Sequence, residues 1–214
     1  WQMVGGGDFN SDGHRDIVWQ HRSTRVTTVW LMNGSTFIGV GHLSHNTVDD
    51  MNWAARFVAD MNADGRPDIV WQHETLGYIS VWLMNALTLD RAMLFNPGRV
   101  TDLNWRLVGA GNFNGDAYND LVWQNRSTGM TAIWLMNGAS FAASGVLSRH
   151  TVADRAWHLE AVVDADGNGT HDFVWRHQVS GKMALSFLNG LTVAYERVIN
   201  PDVVQTVWRL VDAK

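Results

Sequence analysis

The sequence predicts an all-β fold, a β-propeller of four-stranded antiparallel blades, with four repeats of about 52 residues and the first strand of a fifth. Three observations lead there. Tryptophan recurs at Trp1, Trp53, Trp105, Trp157 and Trp208, with separations of 52, 52, 52 and 51 residues. Each interval holds about four short runs rich in Val, Ile, Trp, Phe and Thr, set between Gly, Asn and Asp clusters, the pattern of strands joined by tight turns. Runs such as Ile17-Val18-Trp19 and Val29-Trp30-Leu31-Met32 are apolar at consecutive positions, as in a sheet covered on both faces. The expectation is one repeat domain over 1–214, divided as 1–52, 53–104, 105–156 and 157–207, with 208–214 as an extra strand.

The elements follow in order within each repeat. The first strand reads Trp1-Gln2-Met3-Val4-Gly5 and returns as Trp105-Arg106-Leu107-Val108-Gly109. An acidic loop leads to the second strand, Asp16 to His21, repeated from Asp68 to His73, Asp120 to Asn125 and Asp172 to His177. The third strand, Val29 to Met32, ends at Asn33-Gly34, and the equivalent pairs Asn137-Gly138 and Asn189-Gly190 mark the same hairpin into a fourth strand. Ala86 replaces the glycine in the second repeat, and Ser186 replaces the third-strand tryptophan in the fourth.

Repeats one and three share the text of Ser44 to Val48 and Ser148 to Val152, whereas two and four share Asn96-Pro97 and Asn200-Pro201, which implies a duplicated pair with pseudo-twofold character. Trp208-Arg209-Leu210-Val211 begins a fifth copy. That strand is compatible with a larger ring, with pairing to a second copy of the chain, or with a lock on a four-bladed ring. Two stacked β-sandwiches are the alternative architecture.

Composition narrows the function. The chain is 46% hydrophobic and 17% charged, with a formal net charge of −5, and lacks the basic stripe of a nucleic-acid-binding surface. It contains no cysteine, so neither disulfides nor thiolate metal sites staple it. No apolar run approaches the roughly 18 residues of a membrane-spanning helix. It opens at Trp1 without a leader-like segment or an initiator Met, and so reads as a mature or excised piece.

The acidic loops carry the strongest chemical signal. Asp8, Asn10, Asp12 and Asp16 place oxygen donors at positions 1, 3, 5 and 9 around Gly13, with the backbone carbonyl of His14 at position 7. Calcium takes six to eight hard oxygen ligands, which alternate residues of a curled loop can supply. The second loop offers Asp60, Asn62, Asp64, Arg66 and Asp68, and the fourth Asp164, Asp166, Asn168, Thr170 and Asp172. The third, with Asn112, Asn114, Asp116, Tyr118 and Asp120, lacks a carboxylate at position 1 and has Ala117 at the sharp turn, so its calcium affinity is expected to be lowest. Trp19 at position 12 of the first loop and the flanking strands exclude an EF-hand. Without metal, the same residues form Asx turns. Tenfold excess calcium over the dissociation constant would stabilise the fold by about 1.4 kcal/mol per site, replacing disulfides as the staple.

The text Asp-Phe-Asn-x-Asp-Gly-x-x-Asp-Ile-Val-Trp, read from Asp8 to Trp19 and recurring in all four units, resembles the FG-GAP and VCBS repeat family. The resemblance implies integrin-like propeller blades, calcium in the loop between the first two strands of each blade, and a secreted or cell-surface setting. Members serve in adhesion, in glycan recognition and as non-catalytic arms of secreted proteins.

Trp19, Trp71, Trp123 and Trp175 recur in phase, beside Gln20, Gln72 and Gln124. Indole faces stack on sugar rings, and repeated clefts would bind multivalently. Packing of blade against blade is the structural alternative. His21, His73 and His177 fall on different blades, which disfavours a shared transition-metal site. Repeated carboxylates do not make the asymmetric acid and base pair of a hydrolase, and there is no cysteine nucleophile, Gly-x-Ser-x-Gly elbow or phosphate loop. The expectation is a calcium-binding recognition module, not an enzyme, whose partner is a glycan or protein surface, with no nucleic acid and no membrane insertion. The rival is an adhesive repeat protein that self-assembles through its blades and terminal strand.

Overall fold

The computed structural model describes residues 1–145, 147 and 152–203, and these are all-β, without a helix. The expected fifth-copy strand at 208–214 lies outside the described residues. Among the described residues, sixteen strands form four antiparallel meanders, one to each repeat. The first comprises β1 (Gln2–Gly7), β2 (Asp16–Gln20), β3 (Thr27–Asn33) and β4 (Thr36–Gly41). The second comprises β5 (Trp53–Ala59), β6 (Asp68–His73), β7 (Tyr78–Asn85) and β8 (Thr88–Arg99). The third comprises β9 (Trp105–Gly111), β10 (Asp120–Asn125), β11 (Thr131–Asn137) and β12 (Ser140–Gly145). The fourth comprises β13 (Trp157–Val163), β14 (Asp172–His177), β15 (Lys182–Asn189) and β16 (Thr192–Val203).

Repeated text folds to repeated detail. Each first strand slips register against the second at the same place, between Met3 and Gly5, Ala55 and Phe57, Leu107 and Gly109, and Leu159 and Ala161. A bulge there bends the strand and increases its twist. The β3–β4 hairpin turns one residue later than the Asn-Gly dipeptide implies. Asn33 pairs with Thr36, so Gly34 and Ser35 are the two turn residues, and Gly34 alone of them has positive φ, at 59°. This is the II′ pattern, with Asn33 inside the strand. Ala86 adopts the same conformation at φ 54° without glycine's freedom.

The chain divides into two compact units of two repeats each: Trp1–Leu103 with Gly138–Ser140, and Asn104–Asn137 with Phe141–Lys214. In the first unit, β1 packs against β5 so closely that a Cβ on Gly5 would sit 3.0 Å from the Val58 amide nitrogen. Phe9, Val18, Val29, Ile69, Trp71 and Met84 form the core there. In the second unit β9 packs against β13 in the same way, with Val162 2.9 Å from a Cβ on Gly109. Phe113, Val122, Ile133, Leu159, Phe173 and Trp175 fill that core. Every residue of β6 and β10 is buried, which is why their sequences show no alternation.

Candidate metal centre

Each acidic loop joins the first and second strands of its sheet. In the first, both oxygens of Asp8 turn inward: Oδ1 accepts the amide of Asp12 at 3.1 Å and Oδ2 that of Gly13 at 2.9 Å. Asn10 Oδ1 accepts the Asp12 amide as well, and Asp12 Oδ1 accepts that of His14 at 2.8 Å. The second loop repeats the pattern through Asp60, Asn62, Asp64, Gly65 and Arg66, and the fourth through Asp164, Asp166, Asn168, Gly169 and Thr170. Such Asx bonds curl the chain so that positions 1, 3 and 5 share one interior. The glycines at position 6 supply φ of 84°, 82° and 85°. A second left-handed residue at position 4 was not foreseen; Ser11 and Ala63 occupy it at φ 60°, and Gly115 and Gly167 in the other loops.

The third loop closes differently. Asn112 Oδ1 accepts the amides of Asn114 and Gly115, and its Nδ2 donates to the Asp116 carbonyl. Ala117 lacks the positive φ of its counterparts, so the wrap around position 1 is lost. Asn114 and Asp116 keep their usual bonds, the latter to the Tyr118 amide at 2.7 Å.

Position 9 is fully buried in all four loops. Asp16 accepts the amides of Phe9 and Met32, Asp68 those of Met61 and Met84, Asp120 those of Phe113 and Met136, and Asp172 those of Ala165 and Leu188, all at 2.8 to 2.9 Å. One carboxylate thus fastens the loop to the end of the third strand, a role the sequence reading missed. Each oxygen retains a second lone pair, so this anchor does not preclude metal ligation.

Burial pushes the Asp68 carboxyl up to about 6, against the pull of its two amides, and Asp64 and Asp60 add to the rise. Burial raises Asp120 and Asp172 in the same direction. The exposed Asp12 is held below the usual range, first by the His14 amide and then by Asn10. In the fourth loop, oxygens of Asp164, Asp166 and Asp172 lie within 4.8 Å of one another, a cluster able to hold a metal ion. A buried carboxylate repelled by two more accessible ones, in a set that presents only oxygen donors, fits a hard cation. Position 3 is Asn in the first two loops, so there an amide oxygen stands where Asp166 stands in the fourth.

Residues 8–71 match the family model described as FG-GAP-like repeat. This stretch is similar to an FG-GAP-like repeat. It begins at Asp8, position 1 of the first loop, and ends at Trp71, so the matched segment holds two complete loops. No curated protein matches the chain. No helix among the described residues is long and apolar enough to cross a membrane.

The candidate ligand-binding residues sit apart from the loops, and deeper than a rim. Gln20, Gln72 and Gln124 are buried. Gln20 Oε1 accepts the amide of Ala55, and Gln124 accepts that of Leu159 while donating to the Trp157 carbonyl at 3.1 Å. Gln20 and Gln124 thus tie one sheet to the next from buried positions. Trp71 and Trp123 are buried and Trp19 is half-buried. Each pairs with the third-strand indole of its own sheet, at 5.0 Å for Trp19 and Trp30, 4.5 Å for Trp71 and Trp82, and 5.0 Å for Trp123 and Trp134.

Indoles nonetheless wall two clefts of about 310 Å³ at equivalent places. One lies in the first unit, among Trp53, Trp71, Trp82, His45 and Asp49. The other lies in the second unit, among Trp157, Trp175, Ser186 and Glu196.

The histidines close turns. His73 Nδ1 accepts the Leu76 amide at 3.1 Å while Nε2 meets Asp50 at 2.8 Å. His177 does the same with Ser180 and Asp154, and in the third repeat Asn125 Oδ1 takes over the acceptor role.

Proposed function

We propose that the four meanders are blades of a calcium-stabilised β-propeller that works outside the cell as a recognition module, with a glycan as its ligand, and that it is not an enzyme. The observation carrying the calcium assignment is the convergence of Asp164, Asp166 and Asp172 within 4.8 Å, in a loop whose hydrogen-bond pattern recurs in the first two repeats. The residues that would hold the ion are those at positions 1, 3, 5 and 9, with the carbonyl at position 7: His14, Arg66 and Thr170 in the three regular loops. A bound cation would neutralise the buried carboxylates and lock each loop against its third strand.

Recognition is supported by the two indole-walled clefts, each of a size to take a small ligand group. Repetition turns modest affinity at each cleft into avidity on a multivalent surface. A glycan array probed with the chain in millimolar calcium, with parallel wells in chelator, tests the reading. Selective binding lost in chelator supports it, and a blank array from folded protein removes the glycan.

One observation favours a second reading, an adhesive module that associates through protein surfaces. Trp30, Phe37, Ile38 and Val40 are exposed together on β3 and the edge strand β4. Concentration-dependent oligomers alongside a blank array would decide for it.

A further inference from the structure

The two clefts are built on one plan, and one cross-strand pair differs between them in chemical character. In the second repeat Trp82 on β7 lies opposite Ala92 on β8, and in the first Trp30 lies opposite Val40. In the fourth repeat Ser186 on β15 lies opposite Glu196 on β16. An indole opposite a small apolar residue has become a hydroxyl opposite a carboxylate. An exchange that served packing alone would refill the vacated space with apolar atoms. Here the space holds a polar relay: Trp175 Nε1–H donates to Ser186 Oγ at 2.9 Å, and Ser186 donates to Glu196 Oε1 at 3.1 Å. The equivalent indole nitrogens of Trp19, Trp71 and Trp123 are buried without a hydrogen-bond partner.

The relay runs from a buried indole to an exposed carboxylate. Ser186 is 3% and Trp175 8% accessible, whereas Glu196 stands in solvent at the mouth of the cleft. A carboxylate can accept about four hydrogen bonds, and the one from Ser186 fixes Oε1 in place. The alternation of side chains along β16 puts Val198 on the same face as Glu196, and Val152 and Trp157 also line the cleft. A carboxylate set beside an apolar and indole wall complements a sugar residue: hydroxyls donate to the charge while the C–H face of the ring lies on the wall.

Resting on the glycan reading above, we infer that the fourth-repeat cleft is a distinct sugar-binding subsite, in which Glu196, oriented by Ser186, accepts ligand hydroxyls. The second-repeat cleft, with Trp82 in place of the serine, then has a different preference. A monosaccharide-sized ring suits the volume of about 310 Å³.

The test is a nuclear magnetic resonance titration of the full chain with methyl glycosides of glucose, galactose, mannose, fucose and N-acetylglucosamine. The Trp175 indole N–H signal, assigned by Trp175→Phe, is the reporter. One or more glycosides should shift it, and Glu196→Gln, an exposed change that leaves the fold intact, should weaken that response about tenfold, the loss of one charge-assisted hydrogen bond. The double change Ser186→Trp with Glu196→Ala should convert the response to that of the second-repeat cleft. If glycosides shift other signals while that of Trp175 stays fixed and Glu196→Gln has no effect, the subsite is overturned and the glycan reading stands. If no glycoside shifts any signal of the folded chain, both fall. A shift at Trp175 on adding N-methylated lysine, with none for any glycoside, would also overturn the proposal, since it would make the cleft a cation site.

Discussion

The side-chain oxygen of Gln20 accepts the backbone amide of Ala55 at 3.1 Å, joining the second strand of one sheet to the first strand of the next. Both groups are buried, and water has no access to replace the bond. Replacing Gln20 with Leu keeps the volume but leaves the Ala55 N–H unsatisfied, a cost of about 1 to 3 kcal/mol. Urea unfolding should show that loss at unchanged slope. Gln124→Leu should act alike in the second unit through Leu159, and a loss under 0.5 kcal/mol at both positions would mean that the ties are dispensable.

The strand order within each repeat was legible because the same text occurs four times, and no local accident repeats in phase. The loops were legible because the alternation of Asp and Asn around glycine is itself the wrap. Gln20 was not: the residues on either side of it read the same whether it faces a rim or a neighbouring strand, and its partner lies 35 residues away. The anchoring role of Asp68 was hidden for a similar reason, since Met84 reaches it only after the third strand has folded back. Ser186 was visible as an exception, but its pairing with Glu196 depends on a register that slips between Phe187 and Leu188.

Ala86 occupies a turn position with φ 54° that glycine fills in the other three repeats. A residue with a Cβ in the left-handed region carries a penalty of about 1 to 2 kcal/mol. Ala86→Gly should therefore stabilise the chain, by about 1 kcal/mol once the greater freedom of glycine in the unfolded state is subtracted. Thermal melting reads this directly. An unchanged or lower melting temperature would show that the hairpin relaxes around alanine at no cost.

The Asp50 carboxylate is drawn down to about 2, first by the amide of Asn52 and then by the ring of His73. Because the folded value lies below the unfolded one, the stabilisation is complete above about pH 4 and is lost as pH falls through about 2. Asp154 is lowered in the same direction by Ala156 and His177. Asp50→Asn should thus be less stable than the parent near neutral pH, with the difference closing in strong acid. Denaturant unfolding across that range checks it, and a constant difference at every pH would sever the link to ionisation.

Asn112 and Ala117 are the two departures that unwrap the third loop, and they can be reversed. Asn112→Asp restores two inward oxygens and a charge at position 1, and Ala117→Gly allows the left-handed turn seen at Gly13, Gly65 and Gly169. Charge count and the fit of the loop set calcium affinity in such sites. The double change should raise the affinity of this loop by about tenfold or more, equivalent to about 1.4 kcal/mol of added stability in saturating calcium. In chelator the added carboxylate lies beside Asp116 and Asp120 without a cation, so stability there should fall or stay level. Calorimetric titration with calcium, paired with melting in calcium and in chelator, separates the two contributions. Equal changes in both media would mean that the substitutions act on the turn alone, and would remove the third loop from the proposed metal sites.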